Sequence, residues 1–436
     1  MITRTVKPLA DFRTDWIYSS DEEHLHKTGS VYISAYKNGL PICDKLVIDC
    51  AELIQCSRTF NEAILELCES IQTLSANYIS NIELNSFDSC LAAFVDKESH
   101  QDIKNGIDGF IRFGHVYARF PSEYNISISV GTDNSPKARI ICKALFETMN
   151  ESSCLRWPRV LFDVKETINK EPNTSNYDLF CLACQTTVKT GFPIYRNADN
   201  KPYLTNKRSI ISTYVINLVK LALASHSISE FKMRIEAAMY DAKVSLRARY
   251  GIINYIVNSK LETCDESDKS LFELYKKIML SGMMSIGFVG MYEATSAFAH
   301  VAFKKQAIAA NVISYMHTVI EKFSEEWDNN YGGYCLEAMK DDSKYDYMCL
   351  QDRHFALQRG LSITNRRYYS NYCDTMVGHE INHFKKVVYE QPMHDMCYSH
   401  ITYYGKRGFQ LFTPSLLQES IKNTLDSGIG CLAIVI

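Results

Sequence analysis

The chain has 436 residues, with 47 Lys and Arg against 50 Asp and Glu, a formal net charge of −3 and a pI near 6.5. So balanced a composition gives no electrostatic case for direct nucleic-acid binding or for an anionic membrane surface. No stretch reaches the roughly 18 apolar residues of a membrane span, and the opening MITRTVKPLADFRTDW lacks the apolar centre of a signal peptide, so a cytoplasmic protein is expected. The 15 cysteines are scattered irregularly through apolar segments, which reads as reduced thiols filling the core rather than a disulfide framework. No repeat or low-complexity linker interrupts the sequence, and one continuous domain over residues 1–436 is expected.

In chain order, His24–Asn61 reads as a helix end, a glycine turn, a short strand and a second apolar run. The apolar spacing of Ile71–Val95 predicts a helix, a loop and another helix, with Asn85 and Ser86 as caps. The alternation of Ile126, Ile128 and Val130 predicts a strand, followed by a turn at Gly131–Ser135 and a helix starting near Pro136. Cys181 and Cys184 form the one C-x-x-C, inside an expected helix at Asn176–Lys189, and no second pair or histidine cluster completes a zinc site.

The stretch Ser209–Ser225, SIISTYVINLVKLALAS, predicts a strand buried on both faces. Asn217 closes it, and its amide either faces a hydroxyl-rich ligand in the crevice at the strand ends or ties down the following turn. Ser227 and Glu230 form a capping-box pattern ahead of a long helix to Lys260, with Arg234, Glu236, Asp241 and Arg247 on a solvated face. Ser281–Phe298 supplies another buried strand and its helix. At its end Glu293 either positions a substrate or acts as a base, or serves the helix dipole.

Asn217-Leu218 in TYVINLVKLAL resembles the T-x-NLPR-x-AL stretch of the anaerobic, glycyl-radical ribonucleoside-triphosphate reductases. Ile286-Gly287, Gly290 and Glu293 resemble that family's IG-x-x-G-x-x-E, and Tyr369, Ser370 and Asn371 resemble its Tyr-Thr-Asn strand. His394, His400, Ile401 and Tyr403 match its PYH and GGHISY segments, and the matches keep the family's order from about His24 onward. The resemblance implies a ten-stranded α/β barrel of two five-stranded halves with an N-terminal helical addition. It also implies a substrate site at Asn217, Gly290, Glu293 and Asn371 that takes ribonucleoside triphosphates.

The same resemblance exposes departures at the chemistry. The family's His-Asp pair falls on Ser34-Ala35, and its strand cysteine falls on Lys45. Cys43 is the nearest thiol and the catalytic candidate, because a two-residue slip preserves facing in a strand. After Pro193 the family carries a Met-Gly-Cys-Arg loop, whereas IYRNADNKPYLTNKRSI holds no cysteine. The family's zinc module and radical glycine find no match, so no cofactor is expected in this chain. The family implies a glycyl radical, made by a radical-SAM activase, that a separate chain would have to carry. Two functions follow as expectations: a reductase-like chain with its radical supplied in trans and a thiol such as Cys43, Cys181 or Cys184, or a catalytically inactive homologue that binds nucleotides or a reductase partner. A homodimer is the further partner the family implies.

Overall fold

The computed structural model describes residues 19–33, 43–76, 79, 81–117, 125–151, 158–200, 207–300, 302–327, 332–339, 345–358, 369, 383–405 and 413–435. Its strands are β1 (Val31–Ile33), β2 (Lys45–Asp49), β3 (Asn81–Asn85), β4 (Asn125–Val130), β5 (Arg159–Val164) and β6 (Ile194–Asn197), followed by β7 (Ile210–Asn217), β8 (Met283–Val289), β9 (Tyr334–Ala338), β10 (Thr402–Gly405) and β11 (Cys431–Val435).

Ten strands run in the order β10-β11-β6-β5-β4-β3-β2-β7-β8-β9, with β1 added antiparallel on β7. Strands β2 to β6 pair in parallel through intervening helices, as do β7 with β8 and β9, and β10 with β11. The two groups meet antiparallel, at β6 with β11 and at β2 with β7. Between the two ends of the strand order, the Tyr398 N–H donates to the Leu336 carbonyl of β9 at 2.7 Å, just before β10. The result is the expected α/β barrel of two five-stranded halves.

The outer face of the first half is apolar and is covered by helices. Phe162 of β5 and Tyr195 of β6 pack on Phe180 of the helix Tyr177–Thr190, with ring centroids 6.0 Å apart in both pairs. The alternate residues, Lys45, Glu83, Asp163 and Arg196, turn to the other side, where they meet one another. This interior polarity corrects one reading of the sequence. Asn81–Asn85 is a central parallel strand and not a loop between helices, because NIELN alternates Ile82 and Leu84 outward with polar residues inward.

The helix after Asn217 and the long one that follows begin where the sequence places them. Asn217 Oδ1 accepts from the Val219 and Lys220 N–H groups, and Ser227 Oγ accepts from the Glu230 N–H at 3.1 Å to start a helix over Ile228–Thr263. Inside that helix the guanidinium of Arg249 is buried, donating to Ser212 of β7 and to Ser245 at 3.0 Å each. It also lies over the Tyr214 ring, so the outer face of β7 is locked to its helix.

Candidate functional site

Two buried polar clusters are built on the barrel strands. The first lies at the carboxyl ends of β7 and β8. Asn217 is fully buried, and its Nδ2 donates to the Gly29 carbonyl at 2.8 Å and to Asp352 Oδ2 at 2.6 Å. The Tyr369 hydroxyl donates to the same Asp352 oxygen. Burial raises the Asp352 pKa against the hydrogen bonds from Tyr369 and Asn217. Gly290 follows β8 at φ +75°, and a Cβ there would sit 2.5 Å from Val219 and 3.4 Å from Tyr369, so only glycine fits the turn.

Glu293, 1% exposed, stands in the first turn of the short helix Met291–Thr295. Its charge reaches Cys349 of the helix Asp346–Gln358, whose thiol is pushed up to about 12 by burial and then by Glu293 and Asp352. It also reaches Lys305, which lies 4.8 Å over the Tyr292 ring and lines a small cleft with Thr295, Gln306, Tyr389 and Glu390. The structure therefore gathers Asn217, Gly290 and Glu293 around Asp352, Tyr369 and Cys349, while Asn371 lies outside the described residues.

The second cluster fills the barrel. Arg196 of β6 makes a two-pronged pair with Asp163 of β5 (2.6 and 3.0 Å) and reaches Glu83 of β3 at 2.6 Å. Glu83 in turn meets the Lys45 ammonium of β2 at 3.2 Å. Burial works against the Glu83 carboxylate, but Lys45 and Arg196 outweigh it and hold its pKa down to about 2. Lys45 also donates to Ser399 Oγ at 3.2 Å and lies 5.1 Å over the Tyr398 ring, while Ser285 of β8 donates to Glu337 of β9 at 2.9 Å.

Two thiols face this network. Burial pushes Cys431 of β11 up to about 12, with Arg196 and Glu83 among the charges it feels. Cys335 of β9 is raised by burial and then by Glu337. Buried thiols of this kind stay protonated and are poor nucleophiles.

A family model described as anaerobic ribonucleoside-triphosphate reductase matches residues 34–434. This chain belongs to that family. An anaerobic ribonucleoside-triphosphate reductase of Haemophilus influenzae is 21% identical over 275 residues, 54% of this chain and 38% of that protein. The chain thus spans well under half the length of that curated relative. The anaerobic ribonucleotide reductase of Thermotoga maritima, in complex with dATP and CTP, superposes with a TM-score of 0.76 at 13% identity, over 94% of this chain and 77% of that one. The same reductase with dATP in its specificity site gives 0.75 at 13% identity, over 94% and 78%.

The reductase family works with a glycyl radical, and the sequence resemblance, read without a gap, sets its strand cysteine on Lys45. Lys45 opens β2 and points into the barrel network. Cys43 precedes the strand, is fully buried, and lies near Tyr275 of the helix Glu266–Ser281, whose phenol is raised by burial first and then by Cys43. Its own pKa is raised by burial and then by Asp44. Cys181 and Cys184 sit on the outer helix, where Cys181 accepts from Gln418 Nε2 at 3.3 Å and Cys184 from the Tyr195 hydroxyl at 3.7 Å. Ser34-Ala35, where the family's His-Asp pair falls, lies outside the described residues.

Among the described residues, no group of three or more His, Cys, Asp or Glu is placed to hold a metal ion, and no helix is long and apolar enough to cross a membrane. Sequence reasoning missed Arg196, Glu83, Asp163, Cys335, Cys349 and Cys431. The signal for the first three was present: charged residues at alternate positions in otherwise apolar strands.

Proposed function

We propose that this chain acts in anaerobic ribonucleotide reduction as a ribonucleoside-triphosphate-binding barrel. The observation that carries the reading is the convergence of Asn217, Gly290 and Glu293, matched to the family on sequence, on one buried cluster at the strand ends. Asn217 would hold the site's frame through Asp352 and the Gly29 carbonyl, Gly290 would let the β8 turn close on Tyr369, and Glu293 with Lys305 would set the charge at the edge of the cleft. Asn371 completes the set by resemblance. For the thiol, the fold favours Cys335 and Cys431, which face the barrel interior, over Cys43, Cys181 and Cys184, which face helices.

A second reading has its own observation. Lys45, at the position of the family's strand cysteine, is committed to Glu83 inside the barrel, as expected of a homologue that no longer reduces nucleotides and binds them or a reductase partner instead.

Anaerobic titration calorimetry with the four ribonucleoside triphosphates tests the common part. Saturable binding that Lys305→Met or Glu293→Gln weakens about tenfold, at an unchanged melting temperature, supports the nucleotide site. Absence of binding by the wild-type chain would overturn it and leave a barrel kept for partner contacts.

A further inference from the structure

The helix His383–Met396 meets β10 through polar side chains, where a packed layer is ordinarily apolar. Lys386, Glu390 and His394 recur every four residues and so share one helix face, and Thr402 of β10 meets them. All four side chains belong to residues no more than 4% exposed.

The Thr402 hydroxyl donates to Glu390 Oε2 at 2.6 Å and lies 2.8 Å from His394 Nε2. A hydroxyl has one proton, so His394 is the donor in the second contact and Glu390 Oε2 is fixed as an acceptor. The other carboxylate oxygen is less well served. Oε1 is buried and accepts no hydrogen bond among the described residues. The Lys386 ammonium stands 3.5 Å from it and donates instead to the Tyr403 carbonyl. Leaving a buried charged acceptor without a donor is costly, and a ligand N–H would relieve it.

Glu390 is also a wall of the cleft beside Glu293. Tyr292 and Thr295 of the helix Met291–Thr295, Lys305 of the helix Ala302–Glu325, and Tyr389 and Met393 line it with Glu390. Two phenol rings, a thioether and one fixed carboxylate suit a flat heterocycle that carries a hydrogen-bond donor. Lys305 donates to Ser296 Oγ at 2.8 Å and feels the Glu293 charge, which leaves Glu390 to the ligand.

Charge then separates the bases. The amino groups of cytosine, adenine and guanine each offer an N–H to a single carboxylate oxygen. Uracil carries an oxygen where cytosine carries its amino group, and its one ring N–H lies between two carbonyls, so the carboxylate repels that edge. Building on the nucleotide site proposed above, we infer that this cleft seats the nucleobase and that Glu390 determines its specificity, admitting amino-bearing bases and rejecting uracil.

Anaerobic calorimetric titration of the full chain with CTP and UTP, which differ at that one exocyclic group, decides it. CTP is expected to bind at least about tenfold more tightly than UTP, with ATP and GTP on the side of CTP. Glu390→Gln keeps an oxygen for Thr402 and places an amide N–H toward the cleft, so the preference should fall to parity or reverse, a change that a merely structural role would not produce. The base can be altered in place of the protein: CTP with both amino hydrogens replaced by methyl groups should bind no more tightly than UTP, whether or not the variant folds. Binding of CTP and UTP within about threefold of each other, or a preference that dimethylation leaves intact, overturns the selection while the nucleotide site stands. An unchanged preference in folded Glu390→Gln overturns it as well. Binding of none of the triphosphates overturns both.

Discussion

Arg196 is a useful residue to begin with, because a guanidinium 4% exposed inside a barrel costs several kcal/mol of desolvation unless its partners are in place. Asp163 and Glu83 are in place, and Lys45 balances the second carboxylate. Removing one member leaves a buried charge without compensation, at a cost of about 3–5 kcal/mol. Glu83→Gln is therefore expected to lower the unfolding free energy by about that amount in urea titration, and a loss under about 1 kcal/mol would mean that water reaches the network. At Asn217 the structure shows the turn-tying reading: Oδ1 accepts from the turn, and Nδ2 is given to the Gly29 carbonyl and to Asp352.

At the scale of elements, β3 separates pattern from packing. An apolar-alternating strand announces itself, as at β4, and a strand buried on both faces does too, as at β7 and β8. NIELN does neither strongly, since its inward positions are Asn, Glu and Asn in a polar interior. As a central strand paired on both sides, Ile82–Leu84 is expected to keep its amide protons in hydrogen exchange as long as Ile126–Ile128 of β4 do. Exchange at loop rates would refute the pairing. The stretch after Pro193 is a comparable case, for Ile194–Asn197 forms β6 and delivers Arg196, where the sequence drew notice only by its missing cysteine.

The whole molecule carries a consequence for acid. His394 and His400 meet edge to face with ring centroids 4.6 Å apart beside β10, and both are held neutral, His394 by burial and then His400, and His400 by burial and then Lys386, down to about 3. In the unfolded chain they take up protons below about 6.5. The unfolded state then binds more protons than the folded one, so stability is lost as pH falls from about 6.5 toward 3. Glu83 adds a second loss, as pH falls from its ordinary value of 4.5 toward about 2. Urea midpoints measured across this range should fall in two overlapping stages. His400→Phe should flatten the upper stage alone, and an unaltered upper stage would show that the imidazole is solvated.

The sequence by itself determined the family, the alternation of buried strands with long helices, the caps at Asn217 and Ser227, and the strand-end residues Asn217, Gly290 and Glu293. Those are local facts: periodicity, capping chemistry and short motifs need no distant partner to be read. Only the tertiary structure decided which thiols face the barrel interior, that Lys45 points into it while Cys43 packs beside Tyr275, and that Asp163, Glu83 and Arg196 belong together. Arg196 lies 113 residues from Glu83 along the chain, and only the winding of the parallel half-barrel turns both inward. A charged residue in a strand carries no mark of its partner; barrel closure supplies the partner, and with it the low-dielectric setting that makes the pair matter.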